Sequence, residues 1–222
     1  MDLKKRMESY ERNTTSFLPI RIPVIIRVDG RAFHTFTRKF EKPFDLTFAE
    51  GIDYVAACLF REIQNARFCY MQSDEVSVLL IDYNKFDSQQ WFGGEYSKMI
   101  SISASIAAAA ATHKFNTELS FDSRIFPIPE RDVLNYFIWR QRDATRNSIQ
   151  MVARKHCSHK ECHKKNLDEL QELIFLNEDN WNNYSNYFKR GRVFDKDGLN
   201  VNIPIFTQDI SFLEKYLIIE EE

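Results

Sequence analysis

Glycine and proline are scarce, with six of each in 222 residues. That excludes collagen-like, low-complexity and loop-dominated chains, which need far more of both. Cysteine is sparse too. The four present, Cys58, Cys69, Cys157 and Cys162, are too few for a disulfide scaffold in a chain of this size. No apolar run reaches the roughly 20 residues of a membrane-spanning helix. An excess of positive charge is also missing: 30 basic against 32 acidic residues leave a net charge of −2. A polyanion would therefore be met by local patches and not by a global basic field. The opening, Met1 to Arg6, runs into polar residues and does not resemble a secretory leader. Reduced cysteines in a cytoplasmic protein are the expectation, with Cys58 and Cys69 read as core residues.

What the chain does have is apolar bulk. Hydrophobic residues make up 44% and aromatic residues 14%, with 19 phenylalanines. This suffices for a packed core and argues against disorder. The length suits one large domain, or a domain with a substantial appendage.

One stretch organises the rest. Pro23 to Val28 reads as a buried strand that delivers Asp29 and Gly30 at its end, a common way to place a catalytic or metal-binding oxygen. A polar loop, Arg31 to Asp45, follows, longer than the about 4–6 residues usual in compact domains. Thr47 to Asn65 shows helical spacing through Ile52, Val55, Ala56, Leu59 and Ile63. Arg67 to Met71 and Val76 to Ile81 are strands joined across Gln72-Ser73-Asp74-Glu75. A second helix spans about 95–114 and is rich in alanine and serine. Leu119 to Ile128 is a fourth strand.

The order strand, helix, strand, strand, helix, strand predicts an α+β fold: a ferredoxin-like βαββαβ antiparallel sheet of the polymerase-palm kind. Its first and third strands are central, and two helices cover one face. Residues 1–129 form this palm-like catalytic domain in the reading. Residues 130–222 form a helical lobe and C-terminal extension packed on it. That lobe holds a helical Arg131–His156 with a polar break near Asp143 to Ser148, and further helices within Ser158–Leu176. An extended Arg190–Val193, a strand over Val201–Phe206 and a closing helix over Phe212–Ile219 complete it.

Asp29 and Asp74, brought together by this topology, fit a two-metal site in which carboxylates hold two Mg²⁺ ions. Gly30 lets the backbone approach a metal or phosphate, and Glu75 stands beside the pair. Lys42 and Lys98 are candidate phosphate contacts, Lys98 in the first turn of the second helix. The bland alternative for each is a solvated surface group. Cys157, His159, Cys162 and His163 do not have a standard structural zinc spacing and read as a solvated helix junction. Arg140, Arg142, Arg146, Lys155, Lys164, Lys165, Lys189, Arg190 and Arg192, interleaved with Trp139, Trp181, Tyr184, Tyr187 and Phe188, read either as an RNA surface or as an ordinary charged helical face.

Three ordered motifs carry a resemblance: Arg27-Val28-Asp29-Gly30-Arg31-x-Phe33-His34, Lys42-Pro43-x-Asp45 and Gln72-Ser73-Asp74-Glu75-x-Ser77. With Ser97-Lys98, Phe121-Asp122-x-Arg124 and Trp139-Arg140-Gln141-x-Asp143, they resemble the tRNA-His guanylyltransferase family over about residues 5–195. The resemblance implies nucleotide addition to an RNA 5′ end. ATP activates the 5′-phosphate of a tRNA, and the 3′-hydroxyl of an incoming nucleoside triphosphate, such as GTP, displaces AMP. By matching position it implies metal ligation by Asp29, Gly30 and Asp74, and catalytic roles for Glu75, Lys42 and Ser73. Nucleotide contacts are implied for Arg27, Gly30, Arg31, Ala32, Phe33, His34, Lys42, Asp45, Ser73 and Lys98. RNA contacts fall on Arg131, Arg146, Asn147, Lys189 and Arg190, and a homotetramer built from dimers is implied.

One departure is informative. Eukaryotic members carry a His-Ile-Asn-Asn-type motif where this chain has Thr145-Arg146-Asn147-Ser148. That resembles the guanylyltransferase-like proteins that repair truncated tRNA 5′ ends by templated addition. Alternatives are a dedicated tRNA-His guanylyltransferase, a palm-type cyclic-nucleotide synthase, and an RNA-binding module with a relic palm.

Overall fold

The computed structural model describes residues 1–83, 85 and 87–218. Alternation along strand β1 (Val24–Gly30) sets the layers. Val24, Ile26 and Val28 face one core, while Ile25 faces another and shares its side with Arg27 and Asp29. β2 (Ala66–Gln72) and β3 (Glu75–Leu80) form a hairpin whose two-residue turn, Ser73-Asp74, places Ser73 at φ +48°. With β4 (Phe121–Pro127) the antiparallel order is β4-β1-β3-β2, with the first and third strands central, as the sequence predicts.

Two later strands continue the same sheet beyond β2: β5 (Arg192–Asp195) and β6 (Gly198–Asn200). The expected strand over Val201–Phe206 is not one. There the side chain of Gln141 donates to the Pro204 carbonyl and accepts from the Phe206 N–H, so the backbone is satisfied without a ladder.

α3 (Leu46–Glu62) and α4 (Tyr96–Phe115) cover the first face. Asp45 caps α3 by accepting from the Phe48 N–H, which stabilises such an end by about 1 kcal/mol. The buried Ala107, Ala110 and Ala111 of α4 are small enough for the two helices to lie close. A Cβ on Gly51 would sit 2.0 Å from the Phe115 ring, so α3 needs glycine at that crossing.

α5 (Glu130–His156) covers the second face, with Val133, Tyr136, Phe137 and Ala144 against Ile25, Phe68, Tyr70, Leu79 and Ile81. It runs unbroken through Asp143–Ser148, where a polar break was expected. The polar side chains there bond within or across the helix: Thr145 and Ser148 donate to the Gln141 and Thr145 carbonyls, and Asp143 pairs with Arg140 and Arg146. Beyond it, α6 (His159–Cys162) and α7 (Leu167–Leu176) lead to Trp181. Leu170, Ile174 and Trp181 build a third core on Ile149 and Val152.

A single turn, α8 (Asn186–Lys189), precedes β5, and α9 (Ser211–Glu214) is one turn where a helix to residue 219 was expected. Residue 219 and the acidic tail lie outside the described residues. At the other end, α1 (Leu3–Arg12) buries none of its residues, and a one-turn α2 (Phe33–Phe36) follows β1. No described helix is long and apolar enough to cross a membrane.

Candidate active site

β1 ends where the β2–β3 hairpin turns. Asp29 sits opposite Glu75 in the ladder, and the Gly30 N–H donates to the Asp74 carbonyl at 3.2 Å. Burial, reinforced by the charge of Asp29, pushes the Asp74 carboxyl up to about 6. Asp29 is raised by burial, then by the charges of Glu75 and of Asp122, its neighbour on β4. Carboxylates that disfavour one another's ionisation form a site short of positive charge. The oxygens available, two carboxylates and backbone carbonyls, suit a hard cation such as Mg²⁺. Among the described residues no three His, Cys, Asp or Glu side chains converge as a metal cage. A divalent ion here would therefore need the backbone, water or substrate to complete its shell.

The same sheet face carries two arginines beside the acids. Arg27 lies directly across from Arg124, and acids on the same face offset the like charges: Asp122 lies 3.8 Å from Arg124, and both arginines act on Asp29 against its upward shift. The buried Arg27 Nε has no protein partner.

Glu75 has a different role from its neighbours. Both of its oxygens accept from Arg140, each at 2.8 Å, and one also accepts from Gln72 and Ser77. The Arg140 guanidinium further donates to Asp143 at 3.0 Å and stacks 4.3 Å from the Trp139 ring centre. Glu75 thus pins the turn that presents Asp74 to α5. Arg140, read from sequence only as a surface cation, is buried. Its signal was the Trp-Arg-Gln-x-Asp spacing, which sets an acid one helical turn after the arginine.

A cavity of about 120 Å³ opens beside the turn, between the 37–48 segment and α5. Among its lining residues are the sequence candidates Lys42, Asp45, Ser73, Asn147, Phe188 and Arg192. Lys42 is exposed and donates from Nζ to the Thr37 carbonyl at 2.9 Å. Asp45 is committed to backbone: besides capping α3 it accepts from the Glu41 N–H. Phe44 stacks on Phe188 with centroids 4.9 Å apart. On the β5 side, Arg192 pairs with the buried Asp53 at 2.6 Å, and Tyr187 donates to the same carboxylate. Asp53 was missed from sequence, although an acid next to Ile52 on the apolar stripe of a helix was a visible sign of a buried pair.

Other candidates fall elsewhere. Arg31, Ala32 and His34 are exposed just past β1, with Ala32 at φ +58°. Phe33 gives its ring to the core, leaving only its backbone for a ligand. Lys98 does not join the acid pair within the chain. α4 leads into β4, whose first residue pairs with Gly30, so α4 must end near the acids and begin at the far end of the sheet. There Lys98 pairs with Glu95 at 2.8 Å.

Of the RNA candidates, Lys189 is buried and donates to the Asn182 carbonyl, and Arg192 is buried against Asp53, so neither offers its charge to a partner. Arg190 bonds Asn186, Arg146 pairs with Asp143, and Asn147 donates to Asp143. Arg131 is exposed in the first turn of α5. In the Cys157–His163 segment, Ser158 and Glu161 form a capping box and the His159 and His163 rings stack at 5.8 Å.

An antiparallel palm with carboxylates meeting at its hairpin and a cavity beside them fits the nucleotidyltransferase class. Comparison with known proteins narrows the class. The family model described as tRNAHis guanylyltransferase matches residues 4–129. The solved structure of a bacterial tRNA(His) guanylyltransferase (Thg1)-like protein in complex with ATP is 35% identical. It aligns with a TM-score of 0.94 over 99% of this chain and all of the other. A GTP complex of a bacterial protein of the same description is 34% identical, with a TM-score of 0.87 over 97% of this chain and 98% of that one. The tRNA(His) guanylyltransferase of Debaryomyces hansenii is 26% identical over 217 residues, 86% of this chain and 79% of that one. The chain belongs to the tRNAHis guanylyltransferase family and is a nucleotidyltransferase acting on tRNA.

Proposed function

We propose that this enzyme repairs tRNA 5′ ends, adding nucleotides in the 3′-to-5′ direction under the direction of the opposing base. The observation that carries the reading is the α5 segment beside the cleft. Where eukaryotic members have a histidine, this chain has Thr145, whose hydroxyl is spent on the Gln141 carbonyl. The cleft is lined instead by Ala144, Asn147 and Ser148, and Ser148 is itself bonded to the Thr145 carbonyl. Selection of one base by side chains has little to work with there, whereas a paired template needs no such reader. The second reading, a single guanosine added to tRNA-His, is favoured by the family description.

ATP and GTP bound by the bacterial neighbours support nucleoside triphosphates as substrates here. Asp29, Asp74 and the Gly30 carbonyl would hold two Mg²⁺ ions, which when bound neutralise phosphate charge and acidify the attacking hydroxyl. The chain's own part is placement, the main lever in phosphoryl transfer. Arg27 adds positive charge beside Asp29. Lys42, at the mouth of the cleft, swings from Thr37 to the 5′-phosphate being activated. Ser73 shapes the turn, and Arg140 fixes it through Glu75.

The test supplies 5′-truncated tRNAs that differ only in the template base. Addition that follows the template is expected; guanosine added regardless of the opposing base overturns the repair reading in favour of the dedicated enzyme.

A further inference from the structure

The helical lobe carries more exposed positive charge than the reaction centre uses. Arg142, Arg146, Gln150 and Arg154 occupy one i, i+4 row of α5, and each is exposed or half-exposed. The row starts beside Trp139, whose ring is 53% exposed and is braced by the Arg140 guanidinium. Trp139, Arg142, Arg146 and Arg190 line one groove along it. At the far end Gln150 and Arg154 line a second hollow together with Lys164, Lys165, His159 and His163.

Charge bookkeeping separates these cations from the others in the lobe. Arg140, Arg146, Lys155 and Arg192 are ion-paired inside the protein. Among the described residues Arg142, Arg154, Lys164 and Lys165 have no carboxylate partner. Nearby acids are spoken for: Asp143 holds Arg140 and Arg146, and Glu161 folds back on Ser158. Asp168, in the wall of the first groove, is the exception. The distal hollow itself has no acidic residue in its lining. In a chain of net charge −2, an unneutralised cluster of this kind marks a polyanion contact.

We propose that this row is a backbone track for the tRNA substrate. It leads from Trp139, which stacks on the Arg140 that holds Glu75, to a distal phosphate-binding hollow formed by Arg154, Lys164 and Lys165. From Arg142 to Arg154 the helix rises about 18 Å, long enough to follow several successive phosphates of one strand. Contacts of this type set register and orientation without reading sequence. The track therefore serves templated repair and single-guanosine addition alike, and does not depend on which of the two the enzyme performs. It makes the lobe a gauge of RNA length: a substrate must reach the hollow to gain from it.

The experiment measures tRNA affinity as a function of salt for three full-length proteins: wild type, a track variant (Arg154→Ala, Lys164→Ala, Lys165→Ala), and a control that removes three exposed cations elsewhere (Lys4→Ala, Lys5→Ala, Lys114→Ala). Each lost phosphate contact lowers the slope of log K against log salt by about 0.7–0.9, so the track variant is expected to lose about two from the slope. Its affinity near 0.15 M salt is expected to fall at least tenfold, with the control superimposing on wild type. The loss is expected on full-length tRNA and not on a 5′-phosphorylated trinucleotide, which is too short to span the track. A wild-type slope in the track variant overturns the proposal. So does an equal fall in the control, which would make the effect one of bulk charge, or an equal loss on the trinucleotide, which would place the cluster's effect at the reaction centre. Circular dichroism of the variants verifies that the fold is retained, and the readout is binding, so it stands apart from the template test.

Discussion

Breaking the Glu75–Arg140 pair is the sharpest perturbation the structure offers. The two side chains are only 9% and 6% exposed, and they meet through two hydrogen bonds of 2.8 Å. Glu75→Ala leaves the guanidinium buried with Asp143 as its remaining carboxylate. Removing one member of a buried pair costs about 3–5 kcal/mol, and the surviving Asp143 contact argues for the lower end. For a chain of this length each kcal/mol moves the melting temperature by about 2–4 °C, so the variant should melt roughly 6–12 °C below wild type. Replacing both partners with apolar residues of similar volume, Glu75→Leu with Arg140→Met, should recover much of that loss, because no charge is then left without a partner. Urea denaturation of the two singles and the double closes the cycle. A loss under about 1 kcal/mol for Glu75→Ala, or a double that equals the sum of the singles, would refute the clamp.

Asp29→Ala and Asp74→Ala should each abolish both chemical steps; turnover retained by either variant removes the two-metal assignment. Lys42→Ala should impair 5′-monophosphorylated RNA more than 5′-triphosphorylated RNA, which needs no activation, and equal losses would remove Lys42 from that step. The folded chain holds the Asp74 proton to about pH 6 while the unfolded chain releases it near 3.8, so metal-free protein should lose stability as pH rises through that window. Asp74→Asn should therefore be about 2–3 kcal/mol more stable than wild type at pH 7, the gap closing near pH 4, as followed by urea titration without metal. At Gly191, φ is +80° and a Cβ would lie 2.6 Å from the Met71 carbonyl oxygen; Gly191→Ala should destabilise by about 1–3 kcal/mol and distort the cleft, read as a lowered melting temperature with weakened nucleotide binding.

The palm was legible because its elements obey local rules. The stripe of α3, the alternation in β1 and β3, and a hairpin turning within Gln72–Glu75 are all written in residue spacing. Asp29 and Asp74 followed from strand order alone. What stayed hidden depends on which partner each polar side chain finds in the folded chain. Asp143–Ser148 looked like a break because polar residues crowd the helix there, yet Arg140, Arg146 and the helix carbonyls absorb them. Pro204 to Phe206 looked like a strand, but their polar atoms belong to Gln141, 63 residues or more away. Lys189 and Arg192 looked like surface cations because burial of a charge is decided by Asn182 and Asp53 and not by their neighbours in the chain. Lys98 lies at the end of the sheet away from the acids because the direction of α4 is fixed by the strand that follows it, which a helix N-terminus beside a lysine does not reveal.

The sheet has two faces, and the family signature accounts for only one of them. Residues 4–129 contain the acids, the first four strands and the helices of one layer. Cut at that point, the chain would lay bare Ile25, Phe68, Tyr70, Leu79 and Ile81 and leave Glu75 without its arginine. The stretch that identifies the enzyme is thus not a stretch that can stand by itself. Minimal versions of this catalyst have to keep α5, and changes in that helix will be felt at the hairpin even when they touch no nucleotide.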